Sequence, residues 1–271
     1  MKLVLAALLF PLATLPTAVA GEIPSPLPQA HAHNDYEHAR PLLDALDQGF
    51  CSVEADIHLV DGALLVAHDR GQVKPERTLA ALYLDPLLER VRKNGGRVYP
   101  GGPGFHLLID FKSDGAATWA VLRPELERYR EMLTVFRDDG TEARAVTIVL
   151  SGNSPREWLA KEPLRRAGID GRLPDLETNP SPHLVPWISD AWSRHFDWRG
   201  NGPFPESERA KLTDIVRRAH AQGRKVRLWG TPDFEGTWAI EREAGADLIN
   251  TDRLADLRRF LTAPAAGAGA P

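Results

Sequence analysis

The sequence has one cysteine, Cys51, in 271 residues. That excludes an internal disulfide framework and leaves stability to an ordinary hydrophobic core. Flanked by Phe50 and Ser52 at the mouth of an apolar run, Cys51 reads as a packed small residue rather than a nucleophile. A basic block is also lacking: 33 Lys and Arg stand against 37 Asp and Glu, a formal charge of −4. Contacts to nucleic-acid phosphates need clustered Lys or Arg, so that class of partner is not expected. No segment is apolar over the roughly 20 residues a spanning helix requires. The apolar run 3–9 follows Lys2, is interrupted by Pro11 and Pro16 just beyond it, and precedes Ala18-Val19-Ala20. This is the pattern of a cleaved export signal over residues 1–20, with an uncleaved N-terminal anchor as the alternative, and a periplasmic or secreted protein is expected. No Ser/Gly linker or abrupt compositional shift divides residues 21–262, which read as one domain. Residues 263–271 are all Ala, Pro and Gly, and a disordered tail is expected there.

Short β-branched runs alternate with longer amphipathic stretches. Strands are expected at 28–32, 51–57, 105–111, 146–150, 185–189, 225–229 and 248–250, with a weaker eighth at 171–176. Leu212, Ile215, Val216 and Ala219 recur at helical spacing, and Gly223 follows as a stop. Ser154-Pro155-Arg156-Glu157 has the form of a capping box and predicts a helix running through Trp158, Leu159 and Leu164. Asp61-Gly62 signals a hairpin whose return strand, 64–67, ends at His68. Asp138-Asp139-Gly140 marks a surface turn before the fourth strand. Repeated strand-then-helix units over some 250 residues argue for an α/β fold with a parallel sheet. With no glycine-rich dinucleotide loop after any strand, a single (β/α)8 TIM barrel fits better than an open doubly wound sheet.

In such a barrel the reactive groups gather at the C-terminal ends of the strands. The first strand ends in His31-Ala32-His33-Asn34, the second in Glu54-Ala55-Asp56, the hairpin return in His68-Asp69 and the third in Asp110-Phe111-Lys112. Strand alternation puts Glu54 and Asp56 on one face, with Val53, Ala55 and Ile57 on the other; Asp110 and Lys112 likewise share a face. A lone Glu-x-Asp is common on a solvated strand edge. Here both acids lie in an apolar strand and a third inward acid lies on the next, an arrangement too costly to leave uncompensated. A divalent cation resolves the conflict, and oxygen ligands favour Mg²⁺ or Ca²⁺ over zinc. His33 and His68 titrate near neutrality and suit the two proton transfers of phosphodiester cleavage. Lys112 is placed either to contact phosphate or to form a salt bridge with the inward acids. On this reading Glu54→Ala is expected to lose metal affinity with the fold largely intact.

These residues resemble the phospholipase-C-like phosphodiesterase superfamily. It contains glycerophosphodiester phosphodiesterases, phosphatidylinositol-specific phospholipases C and spider-venom phospholipases D. Within it the chain is most similar to the branch named for altered inheritance of mitochondria protein six. The resemblance rests on His33-Asn34-Asp35-Tyr36, Arg40-Pro41-Leu42 with Gly49, Glu54-Ala55-Asp56-Ile57 and Leu64-Leu65-Val66-Ala67-His68-Asp69. It continues through Asp110-Phe111-Lys112, Ile188-Ser189-Asp190, Trp229-Gly230-Thr231-Pro232 and Asp247-Leu248-Ile249-Asn250-Thr251-Asp252. It implies a TIM barrel that hydrolyses a glycerophosphodiester or phospholipid-type substrate, with His33 and His68 as general acid/base pair. Glu54, Asp56 and Asp110 would hold the metal, with Asn34 a fourth ligand through its amide oxygen. Trp229 would line the substrate pocket; read alone it serves equally as a core tryptophan under a helix. Typical glycerophosphodiesterases read His-Arg-Gly and then Glu-Asn-Thr, and this chain has neither. The alcohols on either side of the phosphate therefore do not carry over.

Two other readings remain. His31-x-His33 resembles the zinc pair of amidohydrolases and PHP-type phosphoesterases, a reading that needs further histidines at later strand ends. Under the favoured reading His31 packs beneath the site or exchanges roles with His33. The second alternative is a non-catalytic barrel that binds a ligand.

Overall fold

The computed structural model describes residues 23–264, so the expected export signal and all but the first two residues of the expected tail lie outside them. Eight parallel strands form the frame: β1 Leu27–Ala32, β2 Phe50–Val60, β3 Phe105–Phe111, β4 Val146–Gly152, β5 Ala167–Gly171, β6 Trp187–Ala191, β7 Lys225–Trp229 and β8 Leu248–Thr251. They pair in chain order, and β1 bonds to both β2 and β8, which closes the sheet into a TIM barrel. Asp61 and Gly62, both at positive φ, turn β2 into the antiparallel return strand Ala63–Val66. That pairing, Ile57 with Val66 through Val60 with Ala63, carries β2 beyond its expected end at residue 57.

Alternation along the strands sorts the side chains. Val53, Ala55 and Ile57 of β2 and Leu107, Ile109 and Phe111 of β3 face outward into the main core. Ile188, Val226 and Leu228 pack outward against Leu212, Ile215, Val216 and Ala219 of the helix Glu206–Ala221. Leu108, Val149, Trp187 and Leu248, from four different strands, form a separate buried cluster. This apolar layer closes the barrel interior beneath its C-terminal end.

Two sequence expectations are corrected. The eighth strand is not at 171–176 but at Ala167–Gly171, and the chain beyond it turns into the short helix Asp175–Thr178. Its sequence, Ala-Gly-Ile-Asp-Gly, gives no apolar run because the neighbouring chain crowds its backbone. A Cβ at Gly168 would lie 2.6 Å from Pro186 Cγ, and one at Gly171 2.5 Å from Val185 Cγ1. The helix opened by 154–157 stops after one turn, Arg156–Leu159, with no side-chain cap. Pro163 bars its continuation, and Leu164–Arg165 joins a small antiparallel sheet with Val135–Arg137 and Thr141–Glu142.

Trp187, at 1% exposure, is the largest member of the interior layer. Trp187→Ala is expected to cost about 3–5 kcal/mol of folding stability through the cavity it leaves. Urea denaturation measures this, and an unchanged midpoint would contradict the packed-floor description.

Candidate active site

All eight side chains singled out in the sequence, His33, Asn34, Glu54, Asp56, His68, Asp110, Lys112 and Trp229, line one cavity of about 220 Å³. Ser151, Arg172 and Arg227 complete its wall. The register of the strands builds it. Asp56 stands opposite Asp110 across the β2–β3 pair, and Asp110 opposite Ser151 on β4. Gly152 at the end of β4 clears the space, since a Cβ there would lie 2.0 Å from Asp110 Oδ1.

Glu54, Asp56 and Asp110 each offer a carboxylate oxygen within 4.8 Å of the others. Such a cluster is self-repelling, and two side-chain cations partly offset it. Arg227, 3% exposed, places Nη2 3.0 Å from Glu54 Oε2 while its Nε donates to Asn250 Oδ1 at 2.9 Å. Lys112 Nζ lies 3.0 Å from Asp56 Oδ2 and 3.5 Å from Asp110 Oδ1. The offset is unequal. Burial works to raise the Glu54 pKa, but Arg227 and the nearby histidines override it and hold the carboxyl below its ordinary value. Burial and the Glu54 charge push Asp56 up to about 6 against the pull of Lys112 and Tyr36. Asp110 is also raised, by burial first and then by Glu54, with Lys112 opposing. Lys112 itself is raised: the Asp110 and Asp56 charges outweigh its burial. Asp56 Oδ1 is buried without a hydrogen-bond partner. Three hard oxygen donors, two of them short of positive charge and one of them unpartnered, fit a divalent cation.

The histidines flank this cluster. His33 Nδ1 lies 2.8 Å from Asp252 Oδ1, and its Nε2 lies 3.8 Å from Glu54 Oε2. Burial would lower the His33 pKa, but the Asp252 hydrogen bond and the Glu54 charge raise it. Asn34, at φ 46°, reverses the chain after β1 into the single turn Asp35–Glu37, a conformation Asn tolerates. Its Oδ1 accepts from the Tyr36 hydroxyl at 2.7 Å, so the amide oxygen is already engaged. His68, on the loop after the return strand, has Nδ1 3.4 Å from Asp56 Oδ2.

His31 sits elsewhere. It is fully buried, with Nδ1 2.7 Å from Ser52 Oγ and its ring edge-on to Trp187. Burial and Arg227 lower its pKa to about 3, so it stays neutral beneath Glu54 and does not exchange places with His33. The zinc reading needs a further histidine beside this pair. His183 instead contacts Thr141, His220 contacts Asp247, and His106 packs on Trp187. Among the described residues the one close group of His, Cys or acidic ligands is the carboxylate trio. Trp229 stands in the cavity wall, with the Arg194 guanidinium 5.9 Å from its ring centre.

Sequence reasoning missed Arg227, Tyr36, Arg172 and Asp252. Arg227 carried a readable signal: it lies between Val226 and Leu228 as Glu54 lies between Val53 and Ala55. Arg172, which bonds Asp170 Oδ2 at 2.9 Å and Ser151 Oγ at 3.2 Å, was lost with the misplaced fifth strand.

Arg227 also corrects the expectation that Glu54→Ala leaves the fold largely intact, because Glu54 partners a buried guanidinium as well as belonging to the acidic cluster. Its removal strands that charge, and a loss of about 3–5 kcal/mol is expected. Denaturation in EDTA, which takes cation binding out of the comparison, measures it. Wild-type stability in that buffer would show that the ion pair holds nothing.

The family described as an AIM6-like phosphodiesterase domain matches residues 22–99 and 101–168, a span that holds seven of the eight candidate residues. Altered inheritance of mitochondria protein 6 of Eremothecium gossypii is 30% identical over 270 residues, covering 86% of this chain and 69% of its own. The protein of the same name from Saccharomyces cerevisiae is 30% identical over 277 residues, covering 85% and 70%. A homolog from Arthroderma benhamiae is 27% identical, covering 89% and 86%. Among solved structures, a glycerophosphodiester phosphodiesterase from Parabacteroides distasonis superposes with a TM-score of 0.52 at 13% identity. That superposition covers 86% of this chain and 96% of the other, and it is a likeness of fold. The chain belongs to the AIM6-like phosphodiesterase domain family.

Proposed function

We propose that this barrel hydrolyses phosphodiesters of the glycerophosphodiester or phospholipid type at the cavity around His33 and His68. The observation that carries the reading is the pairing of two histidines with a carboxylate trio in one cavity, since acid, base and cation site are what the reaction needs. Glu54, Asp56 and Asp110 would hold the cation. When bound, it neutralises charge on the phosphoryl oxygens and makes the attacking hydroxyl more acidic.

The chain's own residues do the rest. A phosphodiester anion entering beside three carboxylates is repelled unless positive charge meets it, and Lys112, Arg172 and Arg227 all line the wall. His33, its Nδ1 held by Asp252, turns Nε2 toward the carboxylates and is placed to take or give a proton there. His68 serves the opposite transfer. Trp229 offers an aromatic wall to the alcohol. The cavity volume suits the phosphodiester and a small alcohol, so the acyl chains of a phospholipid would remain outside.

The test is hydrolysis of bis-p-nitrophenyl phosphate. Turnover is expected to vanish in EDTA and to return with Mg²⁺ or Ca²⁺. His33→Ala and His68→Ala should each lose at least about a hundredfold in rate. A fully active His68→Ala protein, or no turnover with any cation, would sink the mechanism; restoration by zinc alone would point to the histidine pair instead. Phosphorus NMR over a panel of glycerophosphodiesters and lipids then identifies the alcohol.

A further inference from the structure

The Tyr36 hydroxyl lies where three functional groups meet. Its oxygen is 2.7 Å from Asp56 Oδ2, 2.7 Å from Asn34 Oδ1 and 3.0 Å from His68 Nδ1. The residue is 2% exposed, and Arg77 Nη2 donates to its backbone carbonyl at 2.6 Å. The imidazole of His68 lies nearly parallel to it, 19° between planes.

A phenol has one proton to give and lone pairs to accept with. Both oxygens beside Tyr36 are acceptors only, and one belongs to a carboxylate, which makes the shorter and stronger bond. The one phenolic proton is therefore drawn to this oxygen pair, to Asp56 before Asn34, and not to His68. His68 meets the accepting side of the same oxygen, and it can bond there only by bringing a proton on Nδ1. Asp56 Oδ2, 3.4 Å from that nitrogen, asks for the same proton. The opposite arrangement, with Tyr36 donating to a bare Nδ1, would leave both the Asp56 and the Asn34 oxygen 2.7 Å from the phenol oxygen with no hydrogen between.

We infer that Tyr36 is a positioning residue that holds His68 in the tautomer protonated on Nδ1, so that Nε2 is the atom that exchanges protons with the substrate. What His68 does with that proton rests on the phosphodiesterase reading; which nitrogen carries it does not. Tyr36 thereby does for His68 what Asp252 does for His33.

The experiment has a spectroscopic and a kinetic arm, both on the full chain. Histidine-labelled protein is examined by nitrogen-15 NMR near pH 8.5, about two units above the ordinary histidine pKa. His68→Ala assigns the His68 resonances. Wild type is expected to show the Nδ1–H pattern, and Tyr36→Phe, which keeps the ring packing and removes only the oxygen, should shift His68 toward Nε2–H. At saturating Mg²⁺, Tyr36→Phe should lower kcat by about ten- to a hundredfold, with KM changed by less than about threefold. The Tyr36→Phe/His68→Ala double variant should be no slower than His68→Ala alone, because Tyr36 acts through His68. Wild-type tautomer spectra in Tyr36→Phe overturn the inference, as do losses that multiply in the double variant. A protein with no turnover whose His68 still carries its proton on Nδ1 would remove the phosphodiesterase reading and uphold the tautomer assignment.

Discussion

Mutual repulsion among Glu54, Asp56 and Asp110 is the constraint around which the C-terminal end of the barrel is arranged. Pairing β2 with β3 sets Asp56 opposite Asp110, and alternation along β2 adds Glu54 to the same face. Folding must therefore bring three carboxylates within 4.8 Å of one another where water is scarce. Arg227 and Lys112 are held against them in response, and they leave the cluster one positive charge short. Burial, with the Glu54 charge added to it, raises the pKa values of Asp56 and Asp110. A site folded in this way is poised for a cation, because binding one relieves a cost already present in the fold.

Much of this was legible in the sequence because the relevant signals are local. Period-two alternation in β2 and β3 identified the inward acids, Asp61-Gly62 gave the hairpin that carries His68, and the polar strand ends pointed to the correct face. What escaped depends on contacts that no short window contains. Glu54 and Arg227 are 173 residues apart and meet only because the barrel closes. Tyr36 was visible as part of a motif, yet its role comes from a hydroxyl that meets Asp56 and His68 across the β1 loop. Strand β5 was misplaced for a different reason. Its glycines answer to crowding by Pro186 and Val185, a tertiary demand that erases the apolar pattern of a buried strand.

The two halves of the barrel contribute unequally. The acids, both histidines and Lys112 all precede residue 113, within the span matched by the family. The later strands supply groups that tune them: Arg227 on Glu54, Asp252 on His33, and Trp229 in the wall. The candidate reactive groups thus lie early in the chain, and the partners that set their charge and orientation lie late. Arg227 and Asp252 each meet a partner far away in sequence, Glu54 and His33.

Arg227 and the cation also have separable parts. The ion pair engages Glu54 Oε2 and keeps the carboxyl ionised although it is almost wholly buried. An isolated buried glutamate would hold its proton near neutrality and be a poor ligand. Arg227 thus maintains a permanent anion at the floor of the site, independent of whether a cation is bound. Asp56 and Asp110, which share the single charge of Lys112, remain the carboxyls whose charge a cation would stabilise. On this division the guanidinium preserves the folded geometry of the cluster, and a divalent ion bound as proposed would supply the remaining positive charge. A phosphodiester would then meet a site close to neutral rather than an acidic one.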